Sequence, residues 1–195
     1  MKLNDRLITE VVYRGKRYRL KPWVRNVLDA IDALHDDGIS PEDGIDVALR
    51  CLVPGRVPRK AVDKHALLEA IFTAFNGSDE KPKAEKPSIS LAQDAALIVA
   101  AFRQAYGIDL QRDPLHWNTF QALLAAIPSD TRLGEVISLR NRPIPKPTKD
   151  NAEERAALMK AQAAVAITTT DQERKHALDG DLRTLAGAFS MMARK

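Results

Sequence analysis

One corner constrains this chain more than any other stretch. Between Asp94 and Leu124 the sequence reads DAALIVAAFRQAYGIDLQRDPLHWNTFQALL. Leu91, Ala95, Ile98, Phe102 and Ala105 recur at alternating spacings of four and three, which places them on one face of a helix. Gly107 stands where a helix-ending residue must take the left-handed conformation that other residues resist, and Ile108 follows as the apolar residue able to fold back onto Phe102. The helix is therefore expected to stop at Tyr106. Beyond it, Asp113 can cap a second helix and Pro114 suits its first position, where no N–H is needed. Trp117, Phe120, Leu124 and Ile127 form that helix's apolar stripe, so the two helices are expected to make the densest core of the protein.

The rest of the chain supplies ample material for a core. It has 195 residues, 45% of them hydrophobic, and its 30 basic side chains nearly balance 26 acidic ones, leaving a net charge of +4 that demands no nucleic-acid partner. The single cysteine, Cys51, excludes an internal disulfide framework and fits a reducing compartment. No apolar run approaches the roughly 18 residues that a membrane span needs, and MKLNDRLITE lacks a secretory apolar region, so a cytoplasmic protein is expected.

Taken in order, residues 7–20 read as a β-hairpin, because Ile8, Val11, Val12, Tyr13, Tyr18 and Leu20 favour strands and Gly15 lies between them. A Gly15-Lys16 loop of type II′ sets Tyr13 opposite Tyr18 and Val11 opposite Leu20, with a basic face carrying Arg14, Lys16, Arg17 and Arg19. Three helices are expected next. The first carries Trp23, Val27, Leu28, Ile31 and Leu34; the second starts at the capping sequence Ser40-Pro41-Glu42-Asp43; the third runs from about Arg59 to Phe75. NGSDEKPKAEKPS then has no apolar anchor and reads as a linker.

A new unit opens at the capping pair Ser90 and Gln93 and closes with a shorter helix from Leu133 to Leu139. The segment RPIPKPTKD, 142–150, has three prolines in five residues and should be an extended arm. After it come an alanine-rich helix over 152–167 and a final helix with Leu178, Leu182, Leu185, Phe189 and Met192 at helical spacing. The fold class is thus mainly α: an N-terminal hairpin with about three helices (1–76), a linker (77–88), a helical subdomain (89–141) and a C-terminal helical arm (142–195).

Catalytic patterns are absent from the sequence. There is no phosphate loop, dinucleotide fingerprint, HExxH, CxxC or GxSxG, and His35, His65, His116 and His176 form no i, i+4 pair, so neither a cofactor nor a metal is expected. Asp113 lies three residues before His116, within reach across a helical turn, yet a capped helix start explains the pair without catalysis. The basic hairpin face, with Tyr13 and Tyr18 nearby for stacking, is the one nucleic-acid candidate; solvated edge charges explain it equally well.

FRQAYGIDL at 102–110, LHW at 115–117 with Phe120, Leu123 and Leu124, and the terminal Leu139-Arg140 together resemble a family of small proteins of long-tailed bacteriophages and prophages, encoded next to the tape-measure protein and regarded as tail assembly chaperones. The family's shared block runs from an acidic residue like Asp94 through the tyrosine-glycine corner to a His-Trp helix and a closing arginine like Arg140, and YRLKPWVRNVL at 18–28 is similar to its opening. Asn118 departs from the pattern, since a second aromatic often follows the tryptophan there. The resemblance implies a helical protein that binds the tape-measure protein, or another tail protein, through helix-in-groove contacts and without chemistry.

The residues expected to meet such a partner are Phe102, Tyr106, Trp117 and Phe120, with Leu182, Leu185 and Phe189 of the last helix. The expected location is the bacterial host's cytoplasm, with the virion as an alternative; self-association stays open. Two competing readings are a structural tail or connector component that stays in the particle and a nucleic-acid-binding regulator acting through Arg14, Lys16, Arg17 and Arg19. An enzyme is the least expected class.

Overall fold

In the computed structural model, residues 6–76 and 88–168 are described, and the chain divides into two compact units. One gathers the N-terminal residues with 110–123; the other gathers 88–109 with 124–168. The fold is mainly helical with an N-terminal antiparallel hairpin, β1 (Glu10–Tyr13) and β2 (Lys16–Arg19).

The hairpin turns one residue earlier than a Gly15-Lys16 loop requires. Arg14 at φ 48° and Gly15 at φ 75° both sit in the left-handed region, the signature of a type I′ loop, whose twist matches that of the flanking strands. The register follows: Val11 pairs with Tyr18, Val12 with Arg17 and Tyr13 with Lys16. Lys16 therefore joins the tyrosine side, its ammonium 4.9 Å from the centre of the Tyr18 ring, while Arg17 and Arg19 share the other face with Glu10 and Val12. Arg14 tolerates its strained backbone while its guanidinium meets Asp63 at 2.8 Å.

Three helices complete this unit's N-terminal part: α1 (Val24–Leu34), α2 (Pro41–Leu52) and α3 (Ala61–Asn76). The start of α2 is written in its sequence. Ser40 accepts the Asp43 N–H at 3.1 Å, Pro41 occupies the first position, and the Asp43 carboxylate takes the Ser40 hydroxyl at 2.7 Å. Gly44 lets α2 approach α1, since a Cβ there would lie 2.9 Å from the Ala33 carbonyl oxygen. Val27, Ala30, Leu49, Leu52, Leu67 and Ile71 are fully buried between these elements. Burying one such Val, Leu or Ile side chain contributes about 1.5–3 kcal/mol.

Residues 110–123 reach this unit through backbone as well as side chains. Val24 N–H donates to Leu115 O at 2.9 Å and Trp117 N–H to Pro22 O at 2.7 Å, an antiparallel bridge between Trp23 and His116. Extended backbone at 115–116 cannot also be helical, so α5 (Trp117–Ala125) begins at Trp117, three residues after the Asp113-Pro114 start that the sequence suggests. The same bridge groups 110–123 with the N-terminal unit, where the sequence reading places them beside residues 89–109.

In the second unit, Ser90 accepts the Gln93 N–H at 3.2 Å in a turn that leads into α4 (Ala95–Tyr106). Gly107, at φ 68°, ends the helix as its sequence requires: its N–H donates to Arg103 O at 3.1 Å and the Ile108 N–H to Phe102 O at 3.3 Å. Thr131 caps α6 (Arg132–Asn141), accepting the Gly134 N–H at 3.0 Å while donating to Pro128 O at 2.8 Å. The arm at 142–150 is exposed and non-helical, and leads to α7 (Ala152–Ala164). Asn151 fixes their junction, accepting the Thr148 N–H at 2.8 Å and donating to Lys146 O at 2.9 Å. The expected final helix, 173–193, lies outside the described residues.

Candidate partner-binding residues

Trp117 and Phe120 stand one turn apart on α5 and stack, with ring centres 5.4 Å apart and planes inclined by 28°. Each is only 2% exposed. Immediately before them, buried His116 ties three segments together. Its Nε2 lies 2.8 Å from Ile8 O and its Nδ1 accepts the Asn118 N–H at 3.1 Å. Because a carbonyl can only accept and an N–H only donate, this pattern selects the tautomer with hydrogen on Nε2. His116 thereby takes the capping role that the sequence reading gives to Asp113. Asn118, at the position that departs from the expected aromatic, donates from Nδ2 to Phe75 O at 2.6 Å and so closes the end of α3.

Within the second unit, Phe102 and Tyr106 meet edge to face, with ring centres 5.5 Å apart. Phe102 is fully buried and Tyr106 half-buried, and that burial raises the Tyr106 phenol above its ordinary value of 10.0. On the corner itself Arg103 pairs with Asp109. Of the four aromatics expected to meet a partner, only Tyr106 presents substantial surface. Phe102, Trp117 and Phe120 form core, since helical spacing reports a buried face but not what buries it. Leu182, Leu185 and Phe189 lie outside the described residues.

The most organised polar cluster is one that periodicity cannot show. Arg140, near the end of α6, forks onto Asp94 with Nη1 2.6 Å from Oδ2 and Nη2 2.9 Å from Oδ1. The same guanidinium donates to Ser88 O at 2.9 Å and Val165 O at 2.6 Å, and Asp94 also accepts the Ser90 N–H at 2.9 Å. Burial alone raises the Asp94 carboxyl. The Arg140 hydrogen bonds, the Ser90 N–H and the guanidinium charge outweigh it and hold the group below its ordinary value of 3.8. Four segments thus converge on one ion pair, which acts structurally because every donor and acceptor named is already engaged within the chain.

The basic residues of the hairpin do not form a single face. Arg14 meets Asp63, Arg17 lies 3.4 Å from Glu10, and Lys16 covers Tyr18, leaving Arg19 beside Arg17 on the solvent side. Among the described residues no three His, Cys, Asp or Glu side chains converge as metal ligands, and no helix is long and apolar enough to cross a membrane. Burial, with Asp29 nearby, raises the Cys51 thiol above its ordinary value of 9.0, which disfavours the reactive thiolate.

Comparison with known proteins finds no match among curated sequences and none among solved structures. The chain matches the protein family described as Bacteriophage Gp15 protein over residues 3–167, a span that includes the hairpin, the His-Trp helix and both partners of the Asp94–Arg140 pair. The chain belongs to the bacteriophage Gp15 protein family.

Proposed function

We propose that this phage protein is a tail assembly factor that chaperones the tape-measure protein, binding it through helix-in-groove contacts and making or breaking no bond. Membership of a bacteriophage family across residues 3–167 carries this reading. Its physical sense comes from the partner. A tape-measure protein resembling those of long-tailed phages is long, helical and apolar in stripes, and such stripes aggregate unless covered until assembly. In this reading Tyr106 at the Gly107 corner and the stripe of Leu182, Leu185 and Phe189 supply the contact, with Phe102 backing Tyr106. Phe102, Trp117 and Phe120 keep the helices rigid and need not touch the partner.

Co-expression tests it directly. The tape-measure protein encoded by the same phage is expected to stay soluble when this chain is present and to precipitate without it, and substitution of Leu182, Leu185 and Phe189 by serine should abolish the protection. Unchanged solubility of the tape-measure protein would refute the chaperone role. Stoichiometric copies of this chain in purified particles would refute it in favour of a virion component.

A further inference from the structure

Helix α7 has two long faces, and within the described residues only one of them is used. Arg155, Leu158, Gln162 and Val165 recur every three or four residues and are half-buried, with Gln162 donating to Leu139 O at 3.0 Å and Arg142 O at 2.6 Å. About a quarter turn around the helix, Ala152, Ala156, Met159 and Ala163 recur at spacings of four, three and four. All four are exposed, Met159 by 50%, and no residue of α7 is buried. A continuous apolar seam on a side that no described residue covers is the face a second helix packs against.

The chain itself carries a matching seam. The described residues end at Thr168, just past α7, and the sequence continues with Leu182, Leu185, Phe189 and Met192 at spacings of three, four and three. Run antiparallel, the two patterns mesh: Leu182 comes level with Ala163, Leu185 with Met159, Phe189 with Ala156 and Met192 with Ala152. Three of these four meetings set a large side chain against an alanine, the alternation of sizes by which facing helices interdigitate at close approach. Residues 165–172, which join α7 to that stretch, have a length within the roughly two to eight residues usual between antiparallel neighbours. The same direction brings Arg194 and Lys195 to the acidic first turn of α7, Glu153 and Glu154, whereas a parallel run would carry them to its alanine-rich end.

We propose that, with no partner bound, residues 178–192 lie as a helix antiparallel along the open face of α7, in the same chain. Docked there, Leu182, Leu185 and Phe189 are kept from water until a competing helix takes them. Gly180 and Gly187 fall on the far side of that stripe and weaken a helix standing alone, so the docked segment lets go readily and α7 holds it only in reserve. The inference rests on the function proposed above only for the identity of the competitor, the tape-measure protein; docking within the chain is a separate claim.

Crosslinking of the full-length protein tests it, in a Cys51→Ala background that removes the native thiol. Lys160→Cys and Ala186→Cys flank the meshed seams on the same border and at nearly the same height, whereas Glu154→Cys stands on the opposite side of α7. A short bis-maleimide should join the 160–186 pair within one chain at least tenfold faster than the 154–186 pair. Ala156→Glu, on an exposed position, puts a charge beneath Phe189 and should speed amide exchange over 178–192 at least tenfold while leaving α4 unchanged. Equal crosslinking rates for the two pairs overturn the proposal, as does exchange over 178–192 that Ala156→Glu does not alter. Crosslinks that join two chains overturn it in favour of a second copy on this face. Both readouts use the protein alone, so a tape-measure protein that precipitates regardless would refute the function proposed above without touching this result.

Discussion

Arg140 and Asp94, forty-six residues apart in sequence, form a two-point ion pair whose side chains are only 8% and 3% exposed. A buried pair of this kind is worth little against an apolar replacement but a great deal against removal of one member, which strands the other charge in the interior. Asp94→Ala and Arg140→Ala should each cost the second unit about 3–5 kcal/mol. Arg140→Lys should recover only part of this, because an ammonium cannot fork onto both carboxylate oxygens while also reaching Ser88 O and Val165 O. Denaturant titrations of the three variants check it.

The pair also fixes a direction for pH. The Asp94 carboxyl is held below its ordinary value of 3.8 in the folded protein, so the unfolded chain binds the proton more readily. Its contribution to stability is complete above the unfolded value and disappears as pH falls through the lower, folded one. The stability gap between the native protein and Asp94→Asn should therefore be constant near neutrality and shrink below about pH 4. A gap that widens on acidification would contradict the assignment.

Glycine positions offer a sharper steric test. At Gly134 a Cβ would lie 2.3 Å from Pro128 O and 2.8 Å from Ser129 Cα, both backbone atoms, so Gly134→Ala must displace the loop that Thr131 holds in place. A loss of about 1–3 kcal/mol is expected, typical of overpacking. Gly55→Ala, with nothing within 4 Å, should be neutral or slightly stabilising. Thermal melts of the two variants side by side separate the steric effect from the general effect of replacing glycine.

Much of this architecture is legible in the sequence where the decisive interactions are local. Ser40 and Pro41 fix the start of α2, and Gly107 fixes the end of α4, because each acts on its own neighbours. Distant partners are not legible in this way. The start of α5 is set by Pro22 and Val24, about a hundred residues earlier, and overrides a sound local capping signal at Asp113-Pro114. Arg14-Gly15 and Gly15-Lys16 are both acceptable loops on paper; choosing between them depends on Arg14 accepting a positive φ with Asp63 in reach. Among the aromatics, spacing marks Phe102, Trp117 and Phe120 as one-sided but gives no means of telling a core from an interface. The buried ion pair is invisible to periodicity, although both its members stand at the ends of the block that carries the family resemblance.

The turn itself gives a further prediction. Asparagine tolerates the left-handed region better than arginine, and Asn-Gly is the favoured type I′ pair. Arg14→Asn loses an ion pair whose arginine is largely exposed, worth up to about 1 kcal/mol, and relieves a backbone strain of about 1–2 kcal/mol. The balance favours the variant by about 0–2 kcal/mol, read as a higher denaturation midpoint with unchanged slope. A lower midpoint would show that the Asp63 contact outweighs the strain.

The last helix described, α7, is held differently from the others. None of its residues is buried, and its anchors are side chains donating to backbone oxygens: Gln162 Nε2 to Leu139 O at 3.0 Å and Arg142 O at 2.6 Å, Arg140 Nε to Val165 O, and Gln93 Nε2 to Ala166 O at 3.0 Å. Hydrogen bonds each worth about 1 kcal/mol hold a helix more loosely than apolar burial does, so α7 should open locally at far lower free energy than α4 or α6. Gln162→Ala removes two of these bonds at once. Amide exchange along α7 should accelerate by roughly ten- to a hundredfold, following the loss of about 1.5–3 kcal/mol, while α4 keeps its protection because Asp94 and Arg140 remain paired. Equal acceleration across α4, α6 and α7 would mean instead that the helix is part of one cooperative unit with them.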